Sequence, residues 1–183
     1  MGLFGKYRKG KELDGLRHDA IHRESGHDYV GAAEDWAKRA SVELAANDNE
    51  LIFADDCISA CKDYLKARDG ANALAQARRA LQGYELGDWL SGEDDDSDEY
   101  LQELTNVIAV MREAGYPAEA DAFLSDVNAA LAKYGRSPLM VSVVAGGYRF
   151  PNACPHCGAT IQGTGVDQKM FCPFCGGEVD ALS

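Results

Sequence analysis

Two cysteine pairs near the C-terminus constrain this chain more than any other feature. They read Cys154-Pro155-His156-Cys157-Gly158 and Cys172-Pro173-Phe174-Cys175-Gly176. Each pair sets two thiolates on one tight turn, and two such turns offer four thiolates at tetrahedral corners, the arrangement Zn²⁺ prefers. Proline at the second position sets φ for the turn, and glycine after the second cysteine takes the positive φ needed to leave it. One structural zinc ion held by Cys154, Cys157, Cys172 and Cys175 is therefore expected. With four thiolates bound, the metal has no open position for water or substrate, which disfavours a catalytic role. Iron is the rival occupant, because a tetrahedral sulfur site accepts both metals. His156 lies inside a turn between two ligands and reads as a surface or partner-contact residue.

The segment around these pairs, residues 148–183, reads as a small β-type zinc ribbon. Tyr148, Phe150, Met170, Phe171 and Phe174 supply most of its apolar surface. A module this small cannot offset its chain entropy by burial alone, so the metal must contribute a large part of its folding free energy. Residues 135–147 precede it as a linker or docking strand: helical periodicity stops at Gly135, and Leu139 to Val144 have strand composition.

The rest of the chain is long enough for an ordinary domain, and 46% apolar residues are what a globular protein needs. It holds no run of about 18 apolar residues, the length a membrane-spanning helix requires. The N-terminus carries charge where a signal peptide needs its apolar centre. Six cysteines, four of them in metal-spaced pairs, suit a reducing compartment, and a cytoplasmic location is expected. Charge is uneven. Residues 1–24 carry six basic and four acidic groups, residues 25–135 nine and twenty-three, and residues 136–183 three of each. The acidic middle repels phosphate backbones, so nucleic acid is disfavoured as a partner there and could be met only by the ends.

In chain order, residues 1–11 form a basic arm expected to be flexible, with Lys6, Arg8, Lys9 and Lys11. Residues 12–134 then show six stretches of helical periodicity. The first carries Leu13, Leu16 and Ala20 and ends at Ser25-Gly26; the second carries Tyr29, Ala33, Trp36, Ala37, Ala40 and Leu44. The third places Ala54, Cys57, Ile58, Cys61, Tyr64 and Leu65 on one face, and Asp69-Gly70 turns into a fourth running to about Tyr84. Leu101, Leu104, Val107, Ile108 and Met111 mark the fifth, and Gly115-Tyr116-Pro117 opens the sixth, with Phe123, Val127 and Leu131. Paired in order, these make three helical hairpins.

The hairpins resemble one another. Ala33 to Ala40 and Ala73 to Ala80 share alanines at the first, fifth and eighth places with a basic pair between, and they lie forty residues apart. Small residues so placed let antiparallel helices approach closely, as stacked helical repeats require. Gly26-His27-Asp28-Tyr29 with Ala33 and Ala40, and Gly115-Tyr116-Pro117 with Glu119-Ala120, resemble the turn and second helix of tetratricopeptide repeats. That resemblance implies a protein- or peptide-binding scaffold. Tetratricopeptide-like repeats followed by a metal ribbon are similar in outline to the cytoplasmic part of the lipopolysaccharide assembly protein B family, whose ribbon motifs differ and from which no function is carried over. The fold expected is mainly α, a solenoid of three hairpins or a six-helix bundle, with a small C-terminal β zinc ribbon.

Other candidate groups read as structural. Cys57 and Cys61 share an apolar helix face, as buried thiols do. His18, His22 and His27 lie within ten residues; the first two share a helix face turned from the apolar stripe, which leaves a surface role or a regulatory metal site. The acidic stretch 93–99 lacks the EF-hand glycine, and Thr105 stands where a bidentate glutamate belongs, so it is expected to be a solvated loop whose last acids cap the fifth helix. No phosphate loop, nucleophile elbow or zinc-protease motif occurs. The expectation is a non-enzymatic adaptor that holds a protein partner; the alternative is a nucleic-acid-associated accessory factor that uses the ribbon and the basic arm.

Overall fold

The computed structural model describes residues 3–47, 49–92, 97–139, 148–149, 154–158, 164–165, 169–171 and 178–180, with side chains from Gly10 onward and, in the strands, at Val179 alone. The chain divides into two compact units, 1–139 and 140–183.

Among its described residues the first unit has six helices: α1 Leu3–Ser25, α2 Tyr29–Asn47, α3 Glu50–Lys66, α4 Gly70–Leu86, α5 Ser97–Glu113 and α6 Pro117–Lys133. α1 begins within the stretch read above as a basic arm, and its backbone stays helical past Lys11. α5 carries Asp98 and Glu99 in its first turn, where carboxylates favour the exposed N–H groups; residues 93–96 of the acidic loop lie outside the described residues.

Successive helices pack in order, α1 on α2, α2 on α3 and α3 on α4; the last hairpin then lies against the one before it, α5 on α3 and α4, and α6 on α4. This makes α3 a central helix. Phe53, Ala54, Cys57, Ile58, Ala60, Cys61, Tyr64 and Leu65 are all buried along it, a wider face than the single stripe of the sequence reading. Alanines 73, 77 and 80 of α4 are fully buried, as the small-residue pattern requires for close helix approach. The large side chains of the interior are Tyr84, Phe123, Ile58, Leu90, Leu104, Ile108, Met111 and Leu131.

Each hairpin turns in the same way. The first helix ends on a residue in the left-handed region, His27, Arg68 or Gly115, with φ of 64°, 62° and 90°. The next N–H then reaches back to the last turn: Asp28 to the Arg23 carbonyl at 2.9 Å, Asp69 to Tyr64 at 2.8 Å and Tyr116 to Met111 at 2.9 Å. That is the bond pattern of a Schellman ending, which satisfies carbonyls the helix leaves open. The same three residues start the second helix. Asp28 Oδ1 accepts from Gly31 N and Asp69 Oδ1 from Asn72 N, both at 3.1 Å, whereas Tyr116 relies on Pro117 in the first helical turn.

These turns correct the repeat register. Capping aligns Asp28 with Asp69 and Tyr116, and hence buried Ala32 with Ala73 and Ala120. Ala33, matched to Ala73 by the alanine spacing, is one residue out of step with the turn.

Among the described residues of the second unit, four short strands form two antiparallel pairs. β1 Tyr148–Arg149 pairs with β2 Thr164–Gly165, and β3 Lys169–Phe171 with β4 Glu178–Asp180. Residues 140–147, which hold most of the expected docking strand, lie outside the described residues.

Candidate functional site

The first cysteine pair forms a tight turn at Pro155 to Cys157 between Cys154, which is buried, and Gly158. The His156 N–H donates to Cys154 Sγ at 3.4 Å, and the Gly158 N–H donates to the Cys154 carbonyl at 2.9 Å. Gly158 has φ of 71°, the left-handed value that only glycine adopts without strain. The side chains of Pro155, His156 and Cys157 are exposed.

Cys172 and Cys175 lie outside the described residues, so the full donor set is not described together. Among the described residues no three His, Cys, Asp or Glu side chains converge as metal ligands. Strand pairing brackets both motifs. Arg149 pairs with Thr164 across the stretch that holds Cys154 and Cys157, and Phe171 pairs with Glu178 across the stretch that holds Cys172 and Cys175. Each Cys-x-x-Cys sequence thus falls within the connection between two paired antiparallel strands. The turn at Cys154 suits half of a four-thiolate site, which zinc would complete when bound.

In the helical unit the candidate cysteines are packed rather than reactive. Cys57 and Cys61 are fully buried, and burial pushes both thiols up to about 12, far from a nucleophilic thiolate at neutral pH. His18 and His22 stack on the exposed side of α1 with ring centroids 6.4 Å apart. His27 is a turn residue instead: it takes the left-handed conformation that ends α1, and its ring leans on Tyr29 at 5.8 Å.

The arginines of the basic pairs noted between the alanines act as struts. Arg39 of α2 is paired with Asp56 of α3. Arg78 of α4 reaches Asp126 of α6 at 2.7 Å, and Arg79 reaches Ser41 Oγ of α2 at 2.8 Å while lying over the Phe53 ring. The hairpin turns also touch. Lys66, at the end of α3, sits over the Tyr29 ring at 5.4 Å, and Gly70 is so close to Tyr116 that a Cβ there would come within 2.3 Å of the ring.

Buried acids were missed by sequence reasoning. Glu43, Asp56 and Asp63 are buried, and burial raises Asp56 to about 6 against the opposing pull of Arg39. The signal available was their position: Asp56 and Asp63 are two turns apart on α3 beside the inward Cys57 and Tyr64. An open groove runs between α3 and α5, lined by Lys62, Leu65, Lys66, Val110, Glu113 and Ala114. No helix among the described residues is long and apolar enough to cross a membrane. Against known proteins, the chain matches no family model, no curated protein and no solved structure.

Proposed function

We propose that the chain is a non-enzymatic adaptor of a reducing, cytoplasmic compartment. Its hairpins act as divergent tetratricopeptide-like repeats that hold a segment of a protein partner, and its C-terminal unit is a zinc ribbon that offers a second contact. The observation that carries the first part is the recurrence of one capped turn in all three hairpins, with neighbouring turns in contact through Tyr29 with Lys66 and Gly70 with Tyr116. Hairpins joined in this way leave elongated grooves between successive helices. The α3–α5 groove combines apolar Leu65, Val110 and Ala114 with charged Lys62, Lys66 and Glu113. That lining suits an amphipathic peptide segment.

What supports the ribbon is the sulfur-directed turn at Cys154 and the bracketing of both cysteine pairs by antiparallel strands. Cys154, Cys157, Cys172 and Cys175 would hold the ion, and zinc would contribute folding free energy. Affinity purification of the tagged full chain, with and without nuclease, tests the adaptor reading. One dominant nuclease-resistant protein that is lost on Lys62→Glu, at an exposed position of the groove, supports it. Partners released by nuclease would transfer the role to nucleic-acid binding by the arm and ribbon.

A further inference from the structure

The hydrogen bonds around Asp63 do not close if every nearby acid is ionised. Asp63, on α3, is fully excluded from solvent. Its Oδ1 accepts from Lys66 Nζ at 2.7 Å, while its Oδ2 is buried and meets no donor. Lying against it is the carboxyl group of Glu24, from the last turn of α1. Glu24 Oε1 in turn accepts from Trp36 Nε1 of α2 at 3.2 Å. Two carboxylates in contact offer acceptors and no donor, and they place like charges together away from water. A single proton removes both faults: it turns one oxygen into a donor and leaves one negative charge, which Lys66 and Trp36 already face.

We infer that Glu24 and Asp63 share one proton, and that this proton fastens the C-terminal end of α1 to α3. The joint is a latch, closed in mildly acidic solution and weakened as pH rises. The charged groups around it are few. Lys66 comes from α3 and Tyr29 and Trp36 from α2, while Arg23 of α1 is turned away to Asp28 and Asp35 at 2.9 Å each.

The direction of titration agrees. Burial first, then the Glu24 carboxylate, raises Asp63 to about 6, and the hydrogen bond from Asp63 holds Glu24 below its ordinary value. A carboxyl group raised on folding binds its proton more tightly in the native state. Its stabilisation is therefore present in full below the ordinary 3.8 and is lost as pH rises through about 6. Over that interval the folding constant changes by up to about a hundredfold. Asp56 is raised to about 6 as well, facing Arg39 and Glu43 of α2, so the two acids must be separated.

Asp63→Asn separates them, because an amide can donate to Glu24 and accept from Lys66 without a proton. Urea unfolding of the full chain at about pH 5 and about pH 8 is the test. The wild type should lose folding constant between the two. D63N should remove about tenfold of that loss and exceed the wild type at the higher pH, while Asp56→Asn leaves the Asp63 component in place. A D63N chain with the wild-type pH slope overturns the inference. If D63N does not fold, ¹³C NMR titration of the native carboxyl groups decides: an Asp63 midpoint near 6 supports the shared proton, and an ordinary carboxylate midpoint overturns it. Hydrogen exchange, corrected for its intrinsic pH dependence, locates the latch. Opening should accelerate in the last turn of α1 ahead of α6, and equal acceleration in both would refute its placement.

Discussion

The two units of this chain close comparable turns by different means. In the helical unit, residues such as Tyr84, Phe123, Ile108 and Leu131 are fully buried, and the hairpin turns are finished by backbone bonds and carboxylate caps. In the C-terminal unit the one turn described centres on a sulfur atom, with the His156 N–H directed at Cys154 Sγ. A turn capped by Asp69 needs nothing from outside the chain. In the proposed zinc ribbon, thiolates brought together would depend on the cation to balance their charge. The difference teaches that the stability of the two units should respond to separate variables, core packing in one and metal in the other.

Metal removal gives the largest expected effect. Cys154→Ser, or a strong chelator acting on the wild type, should unfold the chain from about Tyr148 onward, since structural zinc contributes on the order of 10 kcal/mol to small metal modules. The amide spectrum of that region should collapse while helical circular dichroism stays; retained dispersion in the variant with no bound zinc would break the comparison. The complementary change is Phe123→Ala. Phe123 is fully buried, so the cavity should cost the helical unit about 3–5 kcal/mol in urea unfolding and leave zinc content unchanged.

Smaller effects probe the turns. Gly70→Ala would drive a Cβ into the Tyr116 ring and should cost about 1–3 kcal/mol, much of it recovered in the double variant with Tyr116→Ala. A full cost in the double variant would show that the strain lies elsewhere. Asp69→Ala removes the cap on Asn72 N and should cost about 1 kcal/mol, whereas Tyr116→Ala removes no side-chain cap bond. Least of all, Cys57 and Cys61 should resist alkylation in the folded chain at neutral pH, because burial holds both thiols at about 12; rapid labelling would reopen a redox role for α3.

Much of the helical unit was legible because its signals are local. The stripe Leu104, Val107, Ile108 and Met111, the break at Ser25-Gly26 and the turn Gly115-Tyr116-Pro117 each report on a few neighbouring residues, and each marks an element where it was expected. The repeat register was harder. Alanine spacing tracks which face is buried, whereas the turns are set by where the left-handed residue falls, and the two differ by one residue in the first hairpin. The arm at residues 1–11 was read from composition, and composition does not say where a helix beginning at Leu3 starts.

Of the candidate metal site, spacing alone proposes the ligand set, and the structure describes only the first pair, with Cys154 in the turn that spacing implies. The pairing of Glu24 with Asp63 was not legible. A carboxylate on a helix reads as a solvated group until the helices around it are in place, and here α2 brings Trp36 to one side of Glu24 while α3 brings Asp63 to the other. The sequence by itself determined the helices, their caps and the turn at Cys154, since each depends on residues within a few positions of one another. The tertiary structure alone decided that α3 is central, that its acids are buried and that Gly70 lies against Tyr116. Burial and proton affinity arise from what distant segments exclude, and no local pattern encodes that.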